Sequence, residues 1–193
     1  MDTKKLTLAV MMGALGGALF AISYTVGQFA PGIALDLSII AVVIAGFYGG
    51  PTVGFTAGLI AGVLPGIMFG PLGFGGAVGL IGLPLGKGLS GMTAGFLARA
   101  FKLGQKNPSP YSPLLGIPAT FLSYIPEGVF TYAYFILIMG GLSGGNVYIF
   151  TILPKALVEV TIASIIVTAL LYHKGFNSFV RAHFTKNPKK AIA

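Results

Sequence analysis

The chain has 193 residues, of which 55% are hydrophobic and only 8% are charged. A soluble globular domain of this size carries roughly 25% charged residues, so we predict that lipid covers most of this protein. The absence of cysteine excludes disulfides, thiol nucleophiles and thiolate metal ligands.

The net charge of +8 would suit a nucleic-acid-binding protein, but its placement is that of a membrane protein. Basic residues that flank apolar segments orient a chain in the bilayer and contact anionic headgroups. Those in flanking positions here are Lys4, Lys5, Arg99, Lys102, Lys106, Lys174, Arg181, Lys186, Lys189 and Lys190. We therefore predict no nucleic-acid partner. Because both histidines, His173 and His183, lie near the C-terminus, we also predict no metal ion or other cofactor in the bundle.

Six segments are long and apolar enough to cross a bilayer as helices, which needs about 20 residues. They cover residues 6–25, 33–50, 52–69, 77–101, 114–139 and 147–172. Turn-forming glycine, proline and asparagine residues separate them. The predicted fold class is an all-α integral membrane protein, a bundle of about six transmembrane helices in one domain over residues 1–175. The glycine- and proline-rich stretch 65–88 leaves open a broken or re-entrant helix.

The distribution of charge predicts the orientation. With the N-terminus inside, the flanking lysines and arginines fall on the N-terminal tail, the 102–113 loop and the C-terminal tail. The opposite connections, near 26–32, 70–76 and 140–146, contain no charged residue. We therefore expect both termini on the cytoplasmic side of the membrane. The basic tail, 176–193, is either a short helix in the membrane interface or a frayed end.

Glycine and alanine repeat on two of the predicted helices. Helix 3 has glycines every four residues, which keeps them on one face where another helix can approach closely: Gly50, Gly54, Gly58, Gly62 and Gly66. For that helix we expect internal packing. Helix 1 has a second small-residue surface, formed by Ala9, Gly13, Gly17, Ala14 and Ala18. There, contact with a partner protein competes with internal packing.

Five charged residues lie within the predicted spans: Asp36, Lys87, Glu127, Lys155 and Glu159. Each costs roughly 2.5–3.5 kcal/mol or more near the bilayer centre unless it is paired or solvated. At about 1.5 Å per residue, Asp36 is expected nearest the outer surface and the other four deeper, all in the outer half or at its floor.

Two interpretations of these charges remain open. The first is structural pairing, of Lys155 with Glu159 on one helix and of Lys87 with Glu127 across two. The second is a polar ligand-binding pocket open to the outside, shaped by Pro84, Pro126 and Pro154, since each proline frees a backbone carbonyl. An aromatic wall would come from helix 5, through Tyr124, Phe130, Tyr132 and Tyr134.

We predict that the chain is not an enzyme. Gly88-Leu89-Ser90-Gly91 matches the GxSG of rhomboid-type intramembrane serine proteases, but a serine nucleophile needs a base beside it. The histidine on helix 6, His173, lies at the cytoplasmic end of that helix, far from the expected depth of Ser90. There is also no GxxxxGK[ST] phosphate-binding loop, so any ATP-driven step requires a separate ATPase chain.

The chain resembles the substrate-binding (S) components of energy-coupling-factor (ECF) vitamin transporters. Three stretches carry the resemblance: LDLSIIAVVIAGFYGGPTVGFTAGLIAGV with its acidic-Ser pair, Gly-Pro turn and glycines, LTLAVMMGALGGALFA near the N-terminus, and GLPLGKGLSGMTAGFLAR in helix 4. Together they cover most of residues 4–105. The chain departs from many relatives at Ile39-Ile40, has no tryptophan, and lacks the His-rich N-terminus of the cobalt and nickel members.

The resemblance implies a mechanism and partners. An S component captures a micronutrient from outside, docks through small residues of helix 1 on a membrane coupling subunit, and is driven by two ATPase subunits. It implies that Ala9, Gly13, Gly17, Ala14 and Ala18 form the docking surface.

We expect a small water-soluble vitamin or related compound as the ligand, such as riboflavin, pantothenate or a pyridoxine-like molecule. Its expected binding residues are Glu127, Lys155, Glu159, Lys87, Asp36 and Tyr124. The alternative is a stand-alone proton-coupled secondary transporter or channel for a small solute, in which Glu127 or Glu159 carries the proton. A membrane structural or assembly subunit without a ligand is a further possibility.

Overall fold

The structure is a computed structural model that describes residues 1–30, 33–73, 75–104 and 112–184. Nearly all of these residues are helical. Helices α1 to α4 are Thr3–Val26, Ser38–Gly49, Pro51–Phe69 and Gly76–Ala100. Helices α5 to α8 are Gly116–Met139, Gly141–Val147, Leu153–Tyr172 and Lys174–Phe184. A 3₁₀ turn, Ser112–Leu115, leads into α5, and a π-helical turn, Tyr148–Ile152, joins α6 to α7.

A short antiparallel hairpin connects α1 to α2. Its strands are β1, Gln28–Ala30, and β2, Ile33–Ala34, with Gln28 opposite Ala34. The hairpin is closed at its base because the Leu35 amide donates to the Gly27 carbonyl at 2.9 Å. It delivers the chain directly to Asp36 and the start of α2.

Three helical segments of the described chain are long and apolar enough to cross a membrane. They are Thr3–Val26, Pro51–Phe69 and Ser143–Tyr172, the last including α6, the π-helical turn and α7. Large apolar side chains lie exposed on the bundle surface, among them Val26, Leu137 and Phe150, each more than 70% exposed. Such a surface is suited to lipid rather than to water, which supports the predicted membrane class.

Four of the six predicted segments match observed helices closely: α1, α3, α4 and α5. In the described part of 65–88, α3 and α4 remain helical through Pro65 and Pro84, so neither proline breaks its helix. The prediction for helix 2 was too long. Residues 33–34 belong to the hairpin, and α2 has only 12 residues. The predicted loop 140–146 was also wrong, since Gly141–Val147 is helical despite its glycines.

The short helix α2 is the centre of the bundle. Every residue from Ser38 to Tyr48 is buried, and α1, α3, α4 and α7 all pack against it. The helix contains no charged residue and is apolar on all sides, as expected for a helix enclosed by others.

The glycines of α3 pack against α4, which confirms the predicted internal role of that stripe. A Cβ placed on Gly54, Gly58 or Gly62 would lie well inside van der Waals contact with the backbone of Gly91, Lys87 or Pro84, respectively. Gly95 on α4 makes the reciprocal approach to the Gly50-Pro51 turn. The two helices are therefore in direct backbone contact, and their separation depends on missing side chains.

The small residues of α1 divide into two sets. Ala9 is fully buried, and a Cβ on Gly13 would lie 2.6 Å from Cβ of Ile60 on α3. Ala14 and Ala18 are exposed, Gly17 is half-buried, and no described atom lies within 4 Å of a Cβ built on Gly17. Internal packing thus accounts for Ala9 and Gly13, whereas Ala14, Gly17 and Ala18 face outward.

The C-terminal helix α8 begins two residues before the predicted tail 176–193 and is strongly amphipathic. Val180 is buried and Phe176 packs against the core. The predicted frayed end is therefore wrong for residues up to Phe184, while residues 185–193 lie outside the described residues. Contact with the membrane interface stays a prediction.

Replacing Gly54 by alanine tests the backbone contact between α3 and α4. We expect Gly54→Ala to lower the free energy of unfolding by about 1–3 kcal/mol, because the added methyl must displace the Gly91 carbonyl. Gly82→Ala is the matched control, since no described atom lies within 4 Å of a Cβ on that α4 residue. It should be neutral or stabilise by up to ~1 kcal/mol. Thermal unfolding of the detergent-purified variants would compare the two, and equal stability would contradict the contact.

Candidate functional site

The five charged residues predicted within the spans meet in one buried network. Lys87 Nζ lies 2.6 Å from Asp36 Oδ2 and 2.8 Å from Glu127 Oε1. Lys155 Nζ lies 2.9 Å from Glu159 Oε1. The Asp36 backbone N–H donates to Glu159 Oε1 and joins the two groups. Residues that are separate in sequence thus form a single cluster.

Asp36 is the central member of this network, and the hairpin places it there. Its Oδ1 accepts the Ser38 amide at 2.9 Å, so the carboxylate satisfies the first N–H of α2. Its other oxygen binds Lys87 and its backbone N–H binds Glu159. One residue therefore ties the start of α2 to both α4 and α7.

Lys87 and Glu127 face each other across the contact between α4 and α5. Gly86 permits the close approach, because a Cβ there would lie 3.3 Å from Cβ of Phe130 and 3.5 Å from Cα of Glu127. Lys87 is 2% exposed and Glu127 7% exposed. An ammonium group held between two carboxylates is the arrangement that makes such burial tolerable.

Both ion pairs expected from the sequence are present. The contact between Asp36 and Lys87 was not expected. The hairpin accounts for it, because residues 33–34 form a strand rather than the first helical turn of α2, and Asp36 precedes that helix.

The network retains unused hydrogen-bonding capacity. Within the described residues, Glu127 Oε2 and the hydroxyl of Ser38, whose amide binds Asp36, are buried and have no hydrogen-bond partner. In their ionised forms the three carboxylates and two ammonium groups sum to one negative charge. Buried polar groups are nearly always satisfied in native proteins. A water molecule or a polar ligand would supply the missing partners.

Sequence reasoning missed Ser38 and the backbone N–H of Asp36. Ser38 could have been found from its spacing, because an aspartate side chain often accepts the backbone N–H two residues further on. The Asp36 amide had no signal in the sequence, since only the hairpin exposes it to Glu159.

A separate apolar groove of about 520 Å³ lies between α5 and α7. Its wall on α5 includes Phe121, Ile125 and Tyr132, which share one face of the helix. Glu127 is two residues beyond Ile125, about 200° around the helix, and its side chain points toward α4. The groove therefore runs along the side of α5 that faces away from the charged network.

The expected aromatic wall of helix 5 is divided between two environments. Tyr124 and Tyr132 line the groove together with Tyr148, whose ring is 5.3 Å from that of Tyr132. Tyr134 instead donates its hydroxyl hydrogen to the Phe69 carbonyl at 2.7 Å. Phe130 lies against Gly86. Of the four, Tyr124 lies at the edge of the groove, one turn before Glu127.

Ser90 and His173 occupy different parts of the structure. Ser90 is fully buried in α4, while His173 follows the last residue of α7, where its Nδ1 accepts the Phe176 amide at 3.0 Å. Among the described residues, no hydrogen bond joins the Ser90 hydroxyl to the His173 ring.

Comparison with models of protein families, with characterised proteins and with solved structures finds no match.

Removing Lys87 tests whether the network is coupled. We expect Lys87→Met to lower the free energy of unfolding by roughly 3–5 kcal/mol, because both Asp36 and Glu127 lose their ion-pair partner. Adding Glu127→Gln should restore part of the loss, since one of the unpaired carboxylates becomes neutral. Unfolding of the single and double variants would be compared by circular dichroism in detergent. Strictly additive losses would show that the two residues act separately.

Proposed function

We propose that the chain crosses the membrane of a prokaryotic cell six times, with both termini in the cytoplasm, and captures a small water-soluble micronutrient. In this proposal it is the S component of an ECF-type vitamin transporter, energised by two separate ATPase subunits through a membrane coupling subunit. Helices α4 and α5, with 25 and 24 residues, are long enough for a ~30 Å core. The second crossing would consist of α2 together with the hairpin residues that precede it.

The observation that carries the proposal is the buried charged network. A protein needs only paired charges to remain stable in lipid, and apolar residues would serve better still. This network draws on α2, α4, α5 and α7, and Glu127 Oε2 and Ser38 Oγ remain unpaired within the described chain. Convergent polar groups with spare donors and acceptors favour a ligand site over a purely structural pairing.

The ligand would form hydrogen bonds with those groups of the network that have spare donors or acceptors. Lys87 donates to two carboxylates, and an ammonium has three hydrogens to donate. An acceptor on the ligand would bind Lys87, while a donor would bind Glu127 Oε2. A compact compound with both kinds of group, such as riboflavin, pantothenate or a pyridoxine-like vitamin, fits this chemistry.

A proton-coupled transporter is the second candidate, and one observation favours it. The ionised network carries one excess negative charge, which a transported proton would neutralise. That protein would accumulate solute in sealed vesicles when a pH gradient is imposed, without any ATPase. An S component would show no such uptake.

The first experiment is mass spectrometry of small molecules released from the purified, mildly solubilised protein. One vitamin-sized compound near one per chain would support capture. An empty protein whose thermal stability is unchanged by riboflavin, pantothenate and pyridoxine would contradict it and would leave the proton-coupled transporter and the structural subunit as the alternatives.

Glu127→Gln then tests the position of the site. We expect ligand affinity to fall at least about tenfold, as for the loss of a hydrogen bond to a charged group, with the fold retained because Asp36 still pairs with Lys87. Lys155→Gln should weaken binding less, since Lys155 is the more exposed of the two lysines. Asp2→Asn is the matched control, as it makes the same chemical change at an exposed carboxylate outside the network. Unaltered binding by both test variants would mean that the ligand site lies elsewhere.

Docking of a coupling subunit on α1 is tested at Gly17. We expect Gly17→Leu to fold and bind ligand normally but to abolish uptake in cells that contain the energising subunits, because the new side chain projects from the outward surface. Gly13→Leu is the contrasting variant, and it should reduce thermal stability through its clash with Ile60. Full uptake by the Gly17 variant would exclude this surface as the docking site.

A further inference from the structure

The described basic residues outside the charged network gather at one end of the bundle. Lys4 and Lys5 lie in the first turn of α1, Arg99 lies in the last turn of α4 and Lys102 follows it, and Lys174 begins α8. All of them are exposed except Lys5, which is half-buried. The one described acidic residue near them is Asp2, which caps α1.

Contacts between these segments show that the basic residues share one end. The Arg99 guanidinium lies beside Gly50, between α2 and α3. Gly104 lies against the ring of Tyr48, and Tyr48 packs edge-on against Phe176 of α8, with ring centroids 5.8 Å apart. The end of α2, the segment after α4, and α8 therefore meet at Tyr48.

Helix α1 places its first turn at this same end. Its last turn lies near the start of α2, because Ser23 Oγ accepts the Leu37 amide. The two helices therefore run in opposite directions, and α1 also contacts α8. This basic surface is the part of the molecule formed by Lys4, Lys5, Arg99, Lys102 and α8.

The rotation of α8 about its own axis is fixed by one residue. Asn177 donates from Nδ2 to the Leu171 carbonyl at 2.7 Å and accepts the Tyr48 hydroxyl at Oδ1. Val180, on the same side of the helix, is 2% exposed. Phe179, on the side of α8 away from Asn177, is therefore 55% exposed, and Lys174 in the first turn is exposed as well.

We propose that the basic surface binds the headgroups of anionic phospholipids, with α8 lying in the membrane interface. Its positive charge complements the phosphates and the net negative charge of such lipids. A basic helix with an exposed aromatic ring also has the composition of an interfacial helix. Apolar side chains adjoin the surface directly, since Leu6 and Tyr172 are each about half exposed. Lipid, rather than a soluble acidic protein, contacts both the charges and this apolar margin.

The test uses the full chain in lipid nanodiscs made of phosphatidylcholine alone or of an equal mixture with phosphatidylglycerol. Native mass spectrometry would count the lipids that remain bound after release into detergent. We expect preferential retention of phosphatidylglycerol, weakening as ionic strength rises because surface charges are screened. Equal retention of the two lipids at low salt would overturn the proposal.

The paired variant Lys4→Gln with Lys174→Gln should lose about tenfold or more in affinity for phosphatidylglycerol, as expected for two surface charges. Lys4→Arg with Lys174→Arg is the matched control and should retain lipid as the unmodified chain does. Retention by the glutamine variant equal to that of the arginine variant would contradict the proposal. Thermal unfolding of both would establish that they fold alike. If the glutamine variant does not fold, the salt dependence of the unmodified chain alone decides.

Discussion

Ionised side chains that are buried among helices must pair with opposite charges or hydrogen-bonding groups, and the centre of the molecule is arranged around such pairs. Asp36 binds groups on three helices. Its two carboxylate oxygens bind Lys87 of α4 and the Ser38 amide of α2, and its backbone N–H binds Glu159 of α7. The hairpin, α2, α4 and α7 are therefore held in one relative position by electrostatics as well as by packing. Displacement of any of these elements would leave a charge without a partner, which is costly in a medium of low polarity.

Close backbone packing allows this network to form. Helices α2 and α4 are in close contact, since a Cβ on Gly46 would lie 2.6 Å from the Gly91 carbonyl oxygen, and α5 meets α4 at Gly86, beside the pair of Lys87 and Glu127. Small residues and buried charges are thus two parts of the same arrangement.

Much of this arrangement follows from the sequence, because composition and glycine spacing are local signals. Four helices, the packing of the α3 stripe and both ion pairs were predictable. The late start of helix 2 was not, since residues 33–35 are as apolar as the helix that follows and only hydrogen bonding in the hairpin distinguishes them. The contact of Asp36 with Lys87 depends on that hairpin. The helical conformation of 141–147 also opposes the local preference of glycine.

The shortness of α2 has a consequence for how the protein enters the membrane. Twelve residues of helix extend about 18 Å, well short of a ~30 Å hydrocarbon core, and the helix ends at the tight Gly50-Pro51 turn into α3. A helix this short is not expected to partition into the bilayer by itself. We expect α2 and α3 to enter the bilayer together as a helical hairpin. Asp36 would then reach its final position only after α4 has delivered Lys87, so biogenesis of the first half of the chain would be complete only once the fourth helix is made.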